Sequence, residues 1–255
     1  MSRHLISYIF KAALRDRLML SVFLMMGVGA SLSIFLGSAA ALEKDQFAIV
    51  FMAGSLRVAS MVALILFVIF YVRRSFDGKD VEFILSKSVG RVSYILSHVA
   101  AFSVLAMFVS LLCGLCVYAV SGHYFGAGHL LWLASVVAEN IIMVNVALFF
   151  AMVVRSAVSA SIATLGFYVL GRMMGQILGI IDAAPEGFLL NDILSGIMQM
   201  VSIIIPRLDL MGQTSWLIYG AEGGVIGYGY IFAQCAVFLL LVISASVFDL
   251  LRQKF

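Results

Sequence analysis

Charge is scarce in this chain, and so are the residues that punctuate soluble folds. Of 255 residues, 11% are charged and two are proline, while 64% are apolar. A soluble domain runs nearer roughly 45–50% apolar and about 25% charged, so this balance leaves no room for a separate soluble domain. The formal net charge of +3 is too small, and too concentrated at segment ends, to point to nucleic acid. Cys113, Cys116 and Cys235 all lie inside apolar runs, which implies no disulfide framework. The phosphate-loop pattern G-x-x-x-x-G-K-[ST], the metalloprotease pattern H-E-x-x-H and the nucleophile pattern G-x-S-x-G are all missing. The chain is therefore not expected to be an enzyme, nor to hydrolyse ATP through a phosphate loop of its own.

What is present is a series of long apolar runs. Six read as spans, at about 18–42, 47–72, 92–121, 130–154, 156–181 and 227–249. Each is long enough to cross a hydrocarbon core of about 30 Å at about 1.5 Å per residue. Backbone polar groups in lipid must bond internally, which predicts helices. A barrel is excluded, because the runs are continuously apolar rather than alternating in short strands. The expected fold is an all-α integral membrane protein forming a single domain over 1–255.

The charges set an orientation. Arg3, Lys11, Arg15 and Arg17 precede the first run. Arg73, Arg74, Lys79, Lys87 and Arg91 separate the second and third, Arg155 separates the fourth and fifth, and Arg252 and Lys254 follow the last. The other side carries only Lys44 and Arg207, set among Glu43, Asp45, Asp182, Glu186, Asp192, Asp209 and Glu222. The positive-inside rule places both termini in the cytoplasm. No cleavable signal peptide is expected, since the first run is too long for a signal core and Ser38–Ala41 reads as the small-residue end of a span.

Residues 1–17 read as a basic amphipathic helix in the membrane interface: Leu5, Ile6, Ile9, Phe10, Ala13 and Leu14 share one side, with His4, Ser7, Lys11 and Arg15 opposite. Residues 182–226 form the longest loop, on the external side. Leu189, Leu190, Ile193, Leu194, Ile197, Met198 and Val201 keep a helical rhythm until Pro206, and Trp216 and Tyr219 suit an interfacial belt. Short helices on or in the outer leaflet are expected there.

The polar break at 73–91, RRSFDGKDVEFILSKSVGR, has a pattern of its own. Asp80 is suited to cap a short helix, its charge opposing the positive N-terminal dipole. Val81, Phe83, Ile84 and Leu85 follow as apolar anchors, with Glu82, Ser86 and Lys87 between. A short helix held between two spans can insert into a groove on another protein, or the stretch can be a solvated loop carrying topogenic charge.

This segment resembles the cytoplasmic loop of ABC-transporter permeases of the second exporter class. Those subunits carry an acidic or glycine-containing start and then a hydrophobic–Leu–Leu–Ser–Lys–Pro–x–Ser–Arg stretch. Gly78, Val81, Glu82, Ile84, Leu85, Ser86, Lys87 and Arg91 match in order, followed by Tyr94-Ile95-Leu96. Ser88 stands where proline is usual, Gly90 where serine is, and Ser97-His98 where Gly-Lys is. Pro206-Arg207-Leu208-Asp209-Leu210 is also similar to an external segment of such permeases.

The resemblance implies a transport subunit of the bacterial inner membrane that works as an exporter, in which residues 80–87 are a coupling helix contacting a separate ATPase. It implies two copies of that ATPase, which would hold the ATP and magnesium, and a second permease chain in a homodimer or heterodimer. Two readings from other classes remain beside it: an ion-coupled secondary carrier using Glu139, and a non-transport membrane scaffold docking a cytoplasmic protein.

Arg57, Glu139 and Arg172 are ionisable residues within apolar runs. Arg57 lies roughly 15 Å and Glu139 about 14 Å below the outer ends of their spans, and Arg172 roughly 24 Å from the cytoplasmic end of its own. Such groups cost about 2.5–3.5 kcal/mol each unless paired or wet. An Arg57–Glu139 pair with Asn140 and Arg172 nearby is expected, either locking the spans together or lining an outward-facing cleft. Asn145 is expected to bond between helices. Gly27 with Ala30-Ser31, and Ser156, Ser159, Ala160 and Ala163, form small-residue faces suited to close helix approach.

A soft-metal reading rests on Cys113, Cys116, His123, His129, Met198, Met200 and Met211. It yields to packing, since cysteine and methionine fill apolar gaps well. All four histidines, His4, His98, His123 and His129, fall at segment ends or in loops, which argues against a buried intramembrane base or metal site made of histidine.

Overall fold

The computed structural model describes residues 8–9, 11–12, 15, 18–39, 44–78, 81, 90–121, 126–182, 196, 205–220 and 226–252. Among them the fold is helical, with no strand. Its elements are α1 (Leu18–Ala39), α2 (Lys44–Asp77), α3 (Arg91–Ser121), α4 (Ala127–Val153), α5 (Ala157–Asp182), a 3-10 turn at Leu208–Leu210, the short α6 (Ser215–Tyr219) and α7 (Tyr228–Arg252). Five of these, α2, α3, α4, α5 and α7, are long and apolar enough to cross a membrane, the mark of a multi-pass membrane protein. In α1 the described apolar stretch is Leu24–Ser38.

The bundle is organised around α4, which packs against α2, α3, α5, α6 and α7. It is the most buried of the five long helices, and α7 the least. Helix α4 reads ENIIMVNVALFFAM through its middle. Because most of its surface is enclosed by other helices, it can carry Glu139, Asn140 and Asn145, all buried, where protein partners rather than hydrocarbon surround them. The peripheral helices keep apolar residues outward, such as Leu240 and Phe248 on α7 and Val158 and Ile162 on α5. That is the pattern lipid selects.

Small residues set the close contacts. Gly37 of α1 lies so near Ala48 that an added Cβ would stand 2.8 Å from the Ala48 Cβ, and Ser33 donates to the Ala48 carbonyl at 2.5 Å. These contacts close the α1–α2 hairpin. Cys113 is buried on α3 with its sulfur toward the Leu56 carbonyl of α2, and Cys235 of α7 faces the Ala138 carbonyl of α4. Both cysteines pack. Among the described residues no cluster of three His, Cys, Asp or Glu side chains is placed to hold a metal.

Helix α2 does not stop at residue 72. It runs on to Asp77, with Arg73 donating to Asp77 one turn ahead at 2.7 Å and its guanidinium over the Phe76 ring. Charged residues are good helix formers, and an i,i+4 pair lets a helix continue beyond its apolar stretch. At 34 residues and about 1.5 Å per residue, α2 is about 51 Å long, well past a hydrocarbon core of about 30 Å. The break between α2 and α3 is thus narrower than 73–91, and Arg91 already belongs to α3.

His98 corrects the reading of the histidines as end or loop residues. It sits a full two turns inside α3, buried, with Nδ1 at 3.0 Å from the Tyr94 carbonyl and its ring 4.2 Å from that of Tyr94. Tyr71 and Phe102 complete the aromatic surround. Periodicity does not reveal this, because the helix begins well before its most apolar stretch.

Of the N-terminal segment, Ile9 is buried in the core while Lys11 and Arg15 are exposed. Tyr8 is exposed and Ala12 half-buried, and the other residues of the expected interfacial helix lie outside the described residues. So do Asp80, Glu82, Phe83, Ile84, Leu85, Ser86 and Lys87, and the helical rhythm read over 189–201 except at Gly196.

Candidate functional site

Arg57 of α2 and Glu139 of α4 meet in the bundle. Arg57 Nε donates to Glu139 Oε2 at 2.6 Å, and the two side chains are 4% and 1% exposed. A single buried guanidinium has five N–H donors and needs more than one partner. Arg57 finds the others on the backbone: Nη1 donates to the Gly212 carbonyl at 2.7 Å and Nη2 to the Met211 carbonyl at 2.9 Å. Arg172 of α5 works on the same segment. Its Nη1 donates to the Leu208 carbonyl at 2.6 Å and to the Met211 carbonyl at 3.0 Å.

Both arginines therefore hold residues 206–213, which follow no regular helix apart from the 3-10 turn. This segment packs against Gly171 and Gly175 of α5, where an added Cβ would strike the Pro206 carbonyl oxygen and the Asp209 carboxylate. Gly171 lies ~16 Å along the helix axis before the end of α5, so the segment dips alongside the helix rather than lying beyond it. Irregular backbone at such depth is tolerated only where protein or a cavity surrounds it and its carbonyls are bonded. The two guanidinium groups meet that requirement for Leu208, Met211 and Gly212. Ser135 of α4 completes it, its hydroxyl accepting from the Gly212 amide at 2.8 Å and donating to the Trp132 carbonyl at 2.7 Å.

Two more glycines allow the fit. Gly212 has φ +59°, in the left-handed region open to glycine, and an added Cβ would lie 2.5 Å from Arg57 Cζ. Gly128 of α4 lies against the Trp216 carbonyl of α6, with no room for a side chain. Glycine spacing was the available signal for Gly171 and Gly175, four residues apart on one helical face. Nothing local marks Gly212 or Gly128, since what crowds them is distant in sequence.

Asn140 does not join this cluster. One residue beyond Glu139 on a helix turns the side chain by about 100°, and Asn140 donates to Ser110 of α3 at 2.8 Å. Asn145 likewise donates to Ser103 of α3 at 3.2 Å. The expected polar group is thus divided: Arg57, Glu139 and Arg172 gather under residues 206–213, while the asparagines tie α4 to α3.

Between α2, α5 and residues 212–215 a cleft of about 510 Å³ opens to the surface, lined by Arg57, Arg172, Tyr168, Val58 and Gln213 among others. It lies at the end of the bundle opposite Gly78 and Gly90. Arg207 and Asp209 form a neighbouring ion pair at 3.1 Å. Among the described residues three arginines thus stand against two carboxylates, Glu139 and Asp209, a local balance of +1.

At the other end of the bundle, Arg91 at the start of α3 donates to the Leu250 and Leu251 carbonyls, at 3.1 and 3.2 Å, in the last turn of α7. A cation bonded to unpaired terminal carbonyls stabilises a helix end. Val81, within the break, is buried in the core, so this anchor is used by the chain's own packing. No protein-family model matches the chain, and no curated protein matches it.

Proposed function

We propose that this chain is the membrane-spanning subunit of an ATP-driven transporter of the ABC permease type, working as one of two such chains with a separate ATPase. Its architecture on this reading is six spans, counting α1, with an interfacial N-terminal helix and both termini in the cytoplasm. The membrane is the bacterial inner membrane, and transport runs outward. Residues 80–87 contact the ATPase.

The observation that supports the reading best is the tethering of the 78–90 break. Val81 is anchored in the core, α2 continues past its apolar stretch to Asp77, and Arg91 binds the end of α7. A push on this break would be delivered to α2, α3 and α7 together. An ATPase outside the membrane needs such a handle to alter the packing of spans. Glu139 is less suited to carry protons in an ion-coupled carrier, because Arg57 holds its carboxylate.

The test is a detergent pull-down of the tagged chain beside an Ile84→Asp, Leu85→Asp double variant, with mass spectrometry of the bound proteins. A co-purifying ATPase that is lost in the variant is the expected result. An ATPase retained in both removes the coupling role from 80–87, and none in either removes the ABC reading.

A further inference from the structure

We infer that the cleft beside Arg172 is a binding site for a phosphate-bearing anion, and that its ligand is the anionic headgroup of a lipid drawn in from the adjoining leaflet. The argument starts from charge. Arg57 has Glu139 and Arg207 has Asp209, but Arg172 has no carboxylate within ion-pair distance among the described residues. Its Nη1 is committed to two carbonyls, while Nε and Nη2 have no bonding partner among the described residues. Arg172 is half-buried and lines the cleft. A guanidinium with unused donors and no ion-pair contact among the described residues, set among apolar spans, gains most from an anion with several acceptor oxygens.

The rest of the wall fits that ligand. Tyr168, Gln213, Thr214 and Ser215 bring polar groups to the cleft, enough to bond a tetrahedral phosphate on more than one side. Val58 lies on the same wall and is 49% exposed, an apolar surface beside which an acyl chain can lie. The +1 balance of the cluster holds without any substrate-carrying assignment, so the inference does not depend on an ATPase partner.

The experiment uses the full-length chain in an uncharged maltoside detergent, titrated with dioctanoyl phosphatidylglycerol and followed by tryptophan fluorescence. Trp216, one of two tryptophans, adjoins Ser215. Dioctanoylglycerol, which lacks the phosphate, and inorganic phosphate alone are run beside it. Saturable binding of the phospholipid is expected, with little from dioctanoylglycerol. Arg172→Gln should weaken it by about tenfold or more, the usual consequence of losing bonds to a charged group.

Because Arg172 also holds backbone, Gln213→Glu is the second variant. Gln213 makes no side-chain bond among the described residues, and the change adds a negative charge to the cleft wall at constant shape. It should weaken binding while leaving the melting temperature in place. Inorganic phosphate binding as tightly as the phospholipid would keep the anion site and make the ligand a free phosphate. Equal phospholipid affinity in the native chain, Arg172→Gln and Gln213→Glu, or equal binding of dioctanoylglycerol, would overturn the inference.

Discussion

The Gly212 carbonyl oxygen lies 2.7 Å from Arg57 Nη1, and the glycine hydrogen on the same residue occupies the space where any side chain would meet that guanidinium. Backbone and arginine are fitted to each other across 155 residues. Gly212→Ala should therefore fail twice, by forcing a left-handed φ on alanine and by displacing Arg57. Strained backbone alone costs of order 1–3 kcal/mol. A lower melting temperature in detergent, with new proteolytic sensitivity near residues 206–215, is the expected outcome; an unchanged melt would show that the segment repacks freely.

The Arg57–Glu139 pair should show strong coupling. Glu139→Leu leaves a buried cation uncompensated, a loss of about 3–5 kcal/mol. Arg57→Leu leaves the Glu139 carboxylate and the Gly212 carbonyl unpaired. The double Leu variant should be more stable than the sum of the two losses allows, yet below the native chain, since the Gly212 carbonyl still lacks a donor at about 1–3 kcal/mol, while Arg172 continues to hold the Met211 carbonyl. A thermal double-mutant cycle gives the coupling directly, and additivity would mean that the pair does not form in solution.

Asn140 offers the contrast. Its bond to Ser110 joins two apolar helices, and such bonds average about 0.6 kcal/mol in membrane proteins. Asn140→Leu should thus shift the melt far less than Glu139→Leu one residue earlier. Equal losses would place Asn140 in the charged cluster after all.

Arg91→Leu should free the last turn of α7. The expected cost is about 0.3–1 kcal/mol, with faster hydrogen exchange confined to residues near Leu250–Arg252. In the proposed transporter, the same variant should bind its ATPase yet lose much of its transport. Normal transport in reconstituted vesicles would remove Arg91 from the coupling path.

Gly128→Ala tests the seating of α6. The added methyl meets the Trp216 carbonyl, so a shifted tryptophan emission and a lower melt are expected. Unchanged emission would show that α6 is not held against α4 in the folded protein.

Composition and run length were sufficient to mark the long apolar helices, because hydrocarbon demands continuous apolar stretches and internally bonded backbone. They also marked Arg57, Glu139 and Arg172, since a charge in such a stretch is costly enough to stand out. Helix ends were less legible: α2 continues through Arg73 and Arg74 because charge ends a membrane run without ending a helix. Which face each residue takes, and what it meets, is a tertiary matter. Adjacent residues Glu139 and Asn140 go to different neighbours because a helix turns about 100° per residue and α4 has other helices packed on several faces. The task of the arginines was hidden for the same reason. Their acceptors are main-chain carbonyls of Leu208, Met211 and Gly212, groups that every residue carries and no sequence pattern distinguishes; only the fold brings those carbonyls down beside α5, where water is excluded and a cation must stand in for it.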